Sequence, residues 1–283
     1  MKKYILVGVD ETPESRLALH WAVEVAESRG SAVRVVRAYL NEASRWPALG
    51  AEGYVPDPMP LDSFQRELDA AVQYVRDRLG YDAGSGWLAD SDPATAILSE
   101  ASNAEMVAVG TRSRNKVSAA LLGSVATAVA AKSPVPVVVV RGERRTGPVV
   151  VGADGSADSE EAITFAFEEA ARTKQPLTVV YCWRPFEYHD EPIAANHELL
   201  KDWLAESLAP YRDKFPQVQA HAVIREGRPS AELVRESEGA SLVVVGSRGR
   251  GGVTGLLLGS VSQSLLHHAE SPVAIVRQGG DRS

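Results

Sequence analysis

The chain has 283 residues, enough for two domains of ordinary size, and its 45% hydrophobic and 24% charged residues are typical of a globular protein. The net charge of −7 argues against a broad surface for nucleic-acid phosphates, so no DNA or RNA partner is expected. The single cysteine excludes an intrachain disulfide. No apolar run approaches the roughly 20 residues that span a bilayer, so we expect no membrane partner and a cytoplasmic location.

The sequence contains two copies of one unit. Residues 5–10 recur 144 positions later at 149–154. Two further segments recur 136 positions later, 106–110 at 242–246 and 121–125 at 257–261, and residues 133–135 recur 138 positions later at 271–273. The first copy therefore carries about eight extra residues, which we place in a proline-rich loop within 41–62. A charged linker lies near 142–148, so the predicted domains are residues 1–142 and 148–279.

Each copy is predicted to alternate strands and helices. In the first copy, residues 5–10 form the first strand, Thr12 caps a helix that begins at Pro13, and the later elements follow the order of the second copy. In the second copy, strands are predicted at 149–153, 177–182, 221–225, 242–245 and 273–277, with helices from Ser156 and at 197–215, 230–237 and 260–269. Apolar strands separated by helices indicate a parallel sheet covered on both faces. We predict an α/β fold of two tandem, doubly wound, Rossmann-like domains, each with a five-stranded parallel sheet.

A glycine-rich loop follows the fourth strand of the second copy. It contains Gly246, Ser247, Arg248, Gly249 and Arg250, with Gly259 and Ser260 following after nine residues counted from Gly249. Backbone N–H groups of such a loop, and of the helix that begins at Ser260, can bind phosphate, and the arginines add positive charge. The alternative is that the glycines form only a tight turn, while Ser260 and Gln263 form a capping box.

Asp154 follows the first strand of the same copy. If the strand order reverses between the first and fourth strands, Asp154 and the glycine loop flank one crevice. A carboxylate there suits ribose hydroxyls or an adenine amine. The first copy keeps Asp10 at this place but has Ser113 where the second has Gly249. If that position needs a positive φ, serine costs about 1 kcal/mol or more, so we predict weaker binding in the first copy.

The spacing Gly246-x-x-Gly249, then nine residues, then Gly259-Ser260, with Val-Gly-Ala-Asp at 151–154, closely resembles the ATP-binding universal stress proteins in tandem form. Gly227-Arg228-Pro229 also fits that family, whereas the first copy has Ser91-Asp92-Pro93. The resemblance covers nearly the whole chain. It implies an ATP-binding, nucleotide-dependent regulator of stress response or signalling.

The resemblance also implies the site residues. For the second copy they are Ala153, Asp154, Gly155, Ser156, Cys182, Gly246, Ser247, Arg248, Gly249, Arg250, Gly259, Ser260 and Val261. For a weaker site in the first copy they are Val9, Asp10, Glu11, Thr12, Ala38, Gly110, Arg112, Ser113, Gly123, Ser124 and Val125. The two domains would form an intrachain pseudo-dimer about a pseudo-twofold axis, with residues 137–140 pairing with 274–277, and a homodimer is a further arrangement.

Other chemistry has little support in the sequence. No His, Asp and Glu cluster has metal-ligand spacing, so Mg²⁺ is expected only through ATP phosphates. There is no Gly-x-Ser-x-Gly elbow and no Walker loop with its lysine, so we expect a binding protein with at most weak ATP hydrolysis. Two alternatives stay open: a slow ATPase or nucleotide-hydrolysing enzyme of related fold, and a nucleotide-free scaffold.

Overall fold

The computed structural model describes residues 3–40, 61–111, 122–142, 146–183, 197–250 and 257–278. The strands are β1 Tyr4–Gly8, β2 Ala32–Tyr39, β3 Gly84–Asp90, β4 Met106–Gly110, β5 Val137–Val140, β6 Val149–Ala153, β7 Leu177–Trp183, β8 Ala220–Glu226, β9 Leu242–Gly246 and β10 Val273–Val276. The helices are α1 Pro13–Arg29, α2 Leu61–Leu79, α3 Pro93–Ala101, α4 Ser124–Lys132, α5 Ala157–Thr173, α6 His197–Lys214, α7 Pro229–Glu236 and α8 Ser260–His268. The predicted α/β alternation is confirmed. The extra loop of the first copy, at 41–60, lies outside the described residues.

The chain divides into two compact units, the first with β1 to β4 and α1 to α4, the second with β5 to β10 and α5 to α8. In the first unit the strand order is β3-β2-β1-β4, and all pairs are parallel. In the second unit the order is β5-β10-β9-β6-β7-β8, parallel except for the first pair. Both sheets therefore reverse strand order beside the first strand of each copy, as a doubly wound sheet requires.

Helix starts follow the caps that the sequence provides. Thr12 accepts a hydrogen bond from the N–H of Ser15, with Pro13 as the first helical residue of α1, as predicted. Ser156 caps α5 in the same way through the N–H of Ser159. These short polar side chains replace backbone partners that the first turn of a helix lacks, so they fix where α1 and α5 begin.

Apolar faces of the helices cover both sides of each sheet. In the second unit, α5 packs on β6, β9 and β10, whereas α7 lies against β6, β7 and α8. The wholly buried Phe167 of α5 stacks on Tyr211 and Phe215, at ring-centroid distances of 5.5 and 5.8 Å, and so joins α5 to the end of α6. In the second unit, helices on one face of the sheet therefore contact each other through aromatic rings and pack on valine-rich strands.

Strand β5 belongs to the first sequence copy but groups with the second unit. It runs antiparallel to β10, with Val138 opposite Ala274, which confirms the predicted pairing of these strands. Arg141, just after β5, donates to the carbonyls of Leu266 and Ala269 at the end of α8, at 2.7 and 2.6 Å. Burial lowers the pKa of Arg141 to about 10, so the guanidinium stays charged at neutral pH and complements the negative end of the helix.

Leu208 on α6 tests the packing of the second unit. Its side chain is fully buried, so Leu208→Ala is expected to lower the free energy of unfolding by about 2–5 kcal/mol, measured by urea denaturation. Leu199→Ala on the same helix is the matched control, because Leu199 is 53% exposed and its loss should change stability by less than about 0.5 kcal/mol. Equal effects of the two substitutions would contradict this packing.

Candidate functional site

The carboxyl ends of β6 and β9 lie side by side in the second unit. Val151 pairs with Val244 in a parallel register, so the turn after β6 and the loop after β9 leave the sheet at the same edge. Strand β7 lies on the other side of β6. The strand reversal that the sequence argument required is therefore present, and it brings Asp154 beside the start of the glycine loop.

Asp154 begins a compact polar turn. Its Oδ1 accepts from the N–H and the hydroxyl of Ser156, at 2.9 and 2.6 Å, and its own N–H donates to the hydroxyl of Ser159 at 3.1 Å. Gly155 between them has a φ of 74°, a conformation that favours glycine. One carboxylate oxygen of Asp154 is therefore committed to the turn, and Oδ2 faces the loop.

The first copy builds the same turn from slightly different residues. Oδ1 of Asp10 accepts from the N–H of Thr12 at 3.0 Å and from its hydroxyl, and the N–H of Asp10 donates to the hydroxyl of Ser15 at 3.0 Å. Glu11 stands where the second copy has Gly155 and does not share its positive φ. The two turns are thus alike in hydrogen bonding and differ at their middle residue.

The glycine loop touches the Asp154 turn across the crevice. The N–H of Arg250 lies 3.3 Å from Oδ2 of Asp154, and the hydroxyl of Ser156 lies 3.4 Å from the carbonyl of Arg248. A Cβ on Gly249 would overlap Oδ2 of Asp154. Gly249 does not have a positive φ, so the condition considered from the sequence is not met here. Close approach to a carboxylate, rather than backbone conformation, therefore disfavours a side chain at this position, because the Asp154 carboxylate would have to move.

Gly246 has a packing role of its own. A Cβ there would lie 2.9 Å from the backbone carbonyl carbon of Asp158 in the first turn of α5. In the first copy, a Cβ on Gly110 would lie 2.6 Å from the same atom of Glu14 in α1. Real Cβ atoms do not come this close, so glycine at the end of β4 and of β9 is explained by strand–helix contact before any ligand is considered.

Asp158 is a polar residue of the site that the sequence reasoning missed. It is 7% exposed, and its Oδ2 accepts from the hydroxyl of Ser247 at 2.7 Å and from the N–H of Arg248 at 3.1 Å. Its Oδ1 accepts from the N–H of Gln278 at 2.9 Å, just after β10. The sequence does place an acidic residue in the first turn of α5. Acidic residues are common at helix N-termini, so this one did not indicate a contact with the glycine loop.

The N-cap residues of α4 and α8 are glycines rather than serines. Gly259 is the residue before α8, its N–H donates to the carbonyl of Ser247 at 2.7 Å, and no side chain caps this helix. The capping box of Ser260 and Gln263 is therefore wrong, because Ser260 is already the first helical residue and lies one position too late to cap. Gly123 and Ser124 have the same placement at α4. Among the described residues, no side chain caps the first N–H groups of α8.

The side chains around the ends of β2 and β7 differ between the copies. In the first, the buried Arg37 of β2 donates to Glu11 at 3.0 Å and to Glu67 of α2 at 2.8 Å. The corresponding positions of β7 and α6 hold Tyr181 and Trp203, whose rings meet edge to face at 5.3 Å. An ion-pair cluster thus stands in one copy where the other has an aromatic pair. Comparing the repeats position by position would have found this exchange.

The remaining predicted residues fall close to these features or outside the described chain. Ala153 ends β6, Cys182 and Ala38 lie near the ends of β7 and β2, and Val125 and Val261 lie in the first turns of α4 and α8. The N–H of Val9 donates to the carbonyl of Val36 at 2.9 Å, which joins the end of β1 to β2. Arg112 and Ser113 lie outside the described residues.

Within the described ranges, no group of three or more His, Cys, Asp or Glu residues could hold a metal ion. The helices of that same part of the chain include none long and apolar enough to cross a membrane. His267 and His268 lie in the last turn of α8.

The fold and site define a class of duplicated α/β proteins in which polar turns and loops meet where the sheet reverses strand order. Residues 1–141 and 146–277 each match the sequence profile of the universal stress protein family. A universal stress protein of Mycobacterium tuberculosis is 34% identical over 97% of each chain, and one of Mycolicibacterium smegmatis is 33% identical over 96% of each. The chain therefore belongs to the universal stress protein family.

Solved structures agree with this assignment at the level of fold. A universal stress protein from Archaeoglobus fulgidus superposes with a TM-score of 0.68 over 99% of this chain and 97% of that chain, at 21% sequence identity. Similarity at this identity shows a shared fold and leaves the ligand to be argued from the residues of the site.

Cys182 offers a chemical test of the site's burial. Burial raises the pKa of its thiol to about 11, with smaller contributions from Glu232 and Glu236. At pH 8 the thiolate population is then about a hundredfold lower than for an exposed thiol, and alkylation by iodoacetamide should slow to a similar extent. Intact mass measures labelling of this single cysteine, with the denatured chain as control. Equal rates in the native and denatured protein would contradict the burial.

Proposed function

We propose that the second copy binds ATP and that the protein acts as a nucleotide-dependent regulator of a stress response or signalling pathway. The observation that best supports this is the approach of Gly249 to Asp154, which brings a glycine loop and a carboxylate turn together at the switch point of the sheet. Family membership supports the fold. The ligand is inferred from the chemistry of these residues.

The crevice offers different chemistry to the two ends of ATP. Oδ2 of Asp154 accepts only one long hydrogen bond among those described above, so it has capacity for a ribose hydroxyl. The start of α8, at Gly259 and Ser260, presents backbone N–H groups without a side-chain cap, and the helix dipole favours an anion there. The guanidinium of Arg248 is 63% exposed and adds positive charge near the phosphates. Mg²⁺ would enter only with those phosphates.

The first copy is proposed to bind nucleotide more weakly. Ser113 replaces Gly249 in the sequence. The cluster of Glu11, Arg37 and Glu67 stands where the second copy has Gly155, Tyr181 and Trp203. Asp92 also caps α3 where Arg228 precedes α7, and a hydrogen bond from Thr95 lowers the pKa of Asp92. The first copy therefore holds negative charge at a helix start where the second has an arginine.

A regulator fits these residues better than an enzyme does. Residues 246–260 include two arginines and no lysine, and phosphoryl transfer needs a positioned base as well as positive charge. We therefore propose binding of ATP in the cytoplasm, with hydrolysis absent or slow. A turnover abolished by Asp154→Asn would instead favour the hydrolase alternative.

Nucleotide stoichiometry tests the proposal. Mass spectrometry of small molecules released from the purified, denatured protein is expected to give one ATP per chain, because only the second copy keeps the complete loop. Adding ATP at 100 times its Kd should raise the free energy of unfolding by about 2.7 kcal/mol. Two equally tight sites would refute the weaker first copy. No released nucleotide and no thermal shift would favour the scaffold.

Gly249→Ala tests the contact that supports the site. The added methyl group would overlap the Asp154 carboxylate, so the loop or the turn must move, and the Kd for ATP is expected to rise at least tenfold, about 1.4 kcal/mol. Gly239→Ala is the matched control in the same unit, since a Cβ there would meet nothing within 4 Å. Calorimetric titration measures both, and an unchanged Kd for Gly249→Ala would place ATP elsewhere.

A further inference from the structure

Asp158 lies beneath the glycine loop and accepts hydrogen bonds from three residues in two parts of the chain. Both carboxylate oxygens are engaged, by Ser247 and Arg248 of the loop and by Gln278 beyond the end of β10. Ser247 is 1% exposed, so its hydroxyl is turned inward to this carboxylate. Asp158 therefore acts on the loop from the helix side, whereas Asp154 faces it from the crevice.

The charge of Asp158 matters as well as its hydrogen bonds. A nearly buried carboxylate is costly unless it is hydrogen-bonded, and bonds from N–H and O–H groups to a charged acceptor are stronger than neutral ones. The Nε of Arg248 also lies 4.0 Å from Oδ2. These contacts make the first residues of the loop a fixed structure before any ligand arrives.

We propose that Asp158 is a positioning residue, a built-in anion that holds Ser247 and Arg248 so that the loop at Gly249 faces the phosphates. This inference rests on the proposed ATP binding. It also divides the loop by role: the Ser247 hydroxyl and the Arg248 N–H serve Asp158. Phosphate contacts then come from Gly249 and from the start of α8. A phosphate therefore meets N–H groups whose directions are already set, which reduces the entropy lost on binding.

The two copies provide an internal comparison. The position of Asp158 is occupied in the first copy by Glu14, which is one methylene longer and half-buried. The backbone contact beneath it, between Gly110 and α1, is nevertheless kept. Strand–helix contact is thus common to both copies, while the short buried carboxylate belongs to the second.

Asp158→Asn in the full chain tests the proposal. Asparagine keeps the shape, but its amide N–H₂ would face one of the N–H donors, so part of the loop is released. Calorimetric titration is expected to show the Kd for ATP rising at least tenfold and the Kd for adenosine changing less than twofold, because adenosine does not use the loop. Glu14→Gln, at the aligned position, should change neither Kd by more than twofold.

Two outcomes overturn the positioning role while leaving ATP binding intact. One is equal weakening of ATP and adenosine, which a general loss of structure produces. The other is an unchanged Kd for ATP. If Asp158→Asn does not fold, Asp158→Glu replaces it, because glutamate keeps the charge but displaces it by one methylene. The Kd for ATP is then expected to rise about threefold, with the Kd for adenosine again changing less.

Hydrogen exchange gives a readout that needs no nucleotide. The N–H groups of Arg248 and Gln278 should exchange at least tenfold faster in Asp158→Asn, with Leu177, bonded to the carbonyl of Gln219 in the sheet, unchanged as control. Unchanged exchange at Arg248 and Gln278 overturns the positioning role. Wild-type protein that binds neither ATP nor adenosine overturns the proposed function itself, so the two failures are distinguishable.

Discussion

Contact between a strand end and the first turn of a helix governs the architecture of each copy. At Gly246 against α5, and at Gly110 against α1, there is room for a bare Cα only. This approach draws the beginning of the helix to the end of the neighbouring strand, and with it the short polar residues that cap the helix. Because glycine alone satisfies the contact, the polar turn and the loop are held at one edge by packing rather than by a ligand.

Around this shared strand–helix contact, the two copies carry different side chains. Asp10 and Asp154 make the same hydrogen bonds in their turns, although only the second turn has a positive φ at its middle residue, Gly155. Beyond the turns, the first copy has Arg37 with two glutamates at the positions where the second copy has Tyr181 and Trp203. The two copies therefore differ in charge at this place in the fold.

The repeated sequence made most of the fold predictable. Apolar runs located the strands to within about two residues, and Thr12 and Ser156 marked helix starts, because caps and buried strands have local signatures. Side-chain contacts between segments that are distant in the sequence have no local signature. Asp158 bonds to residues about 90 and 120 positions away, and the close approach of Gly249 to Asp154 depends on the strand order. Both required the packed structure.

The placement of β5 has a consequence for how this chain can be divided. The first family repeat ends at residue 141 and so contains β5, yet β5 pairs with β10 and Arg141 binds the end of α8 in the second unit. The sequence repeat and the compact unit therefore end at different places. Strand β5 belongs to the first repeat by sequence and to the second unit by packing. Cutting between the repeats would leave β10 with a bare edge, a site where isolated halves would aggregate or exchange strands.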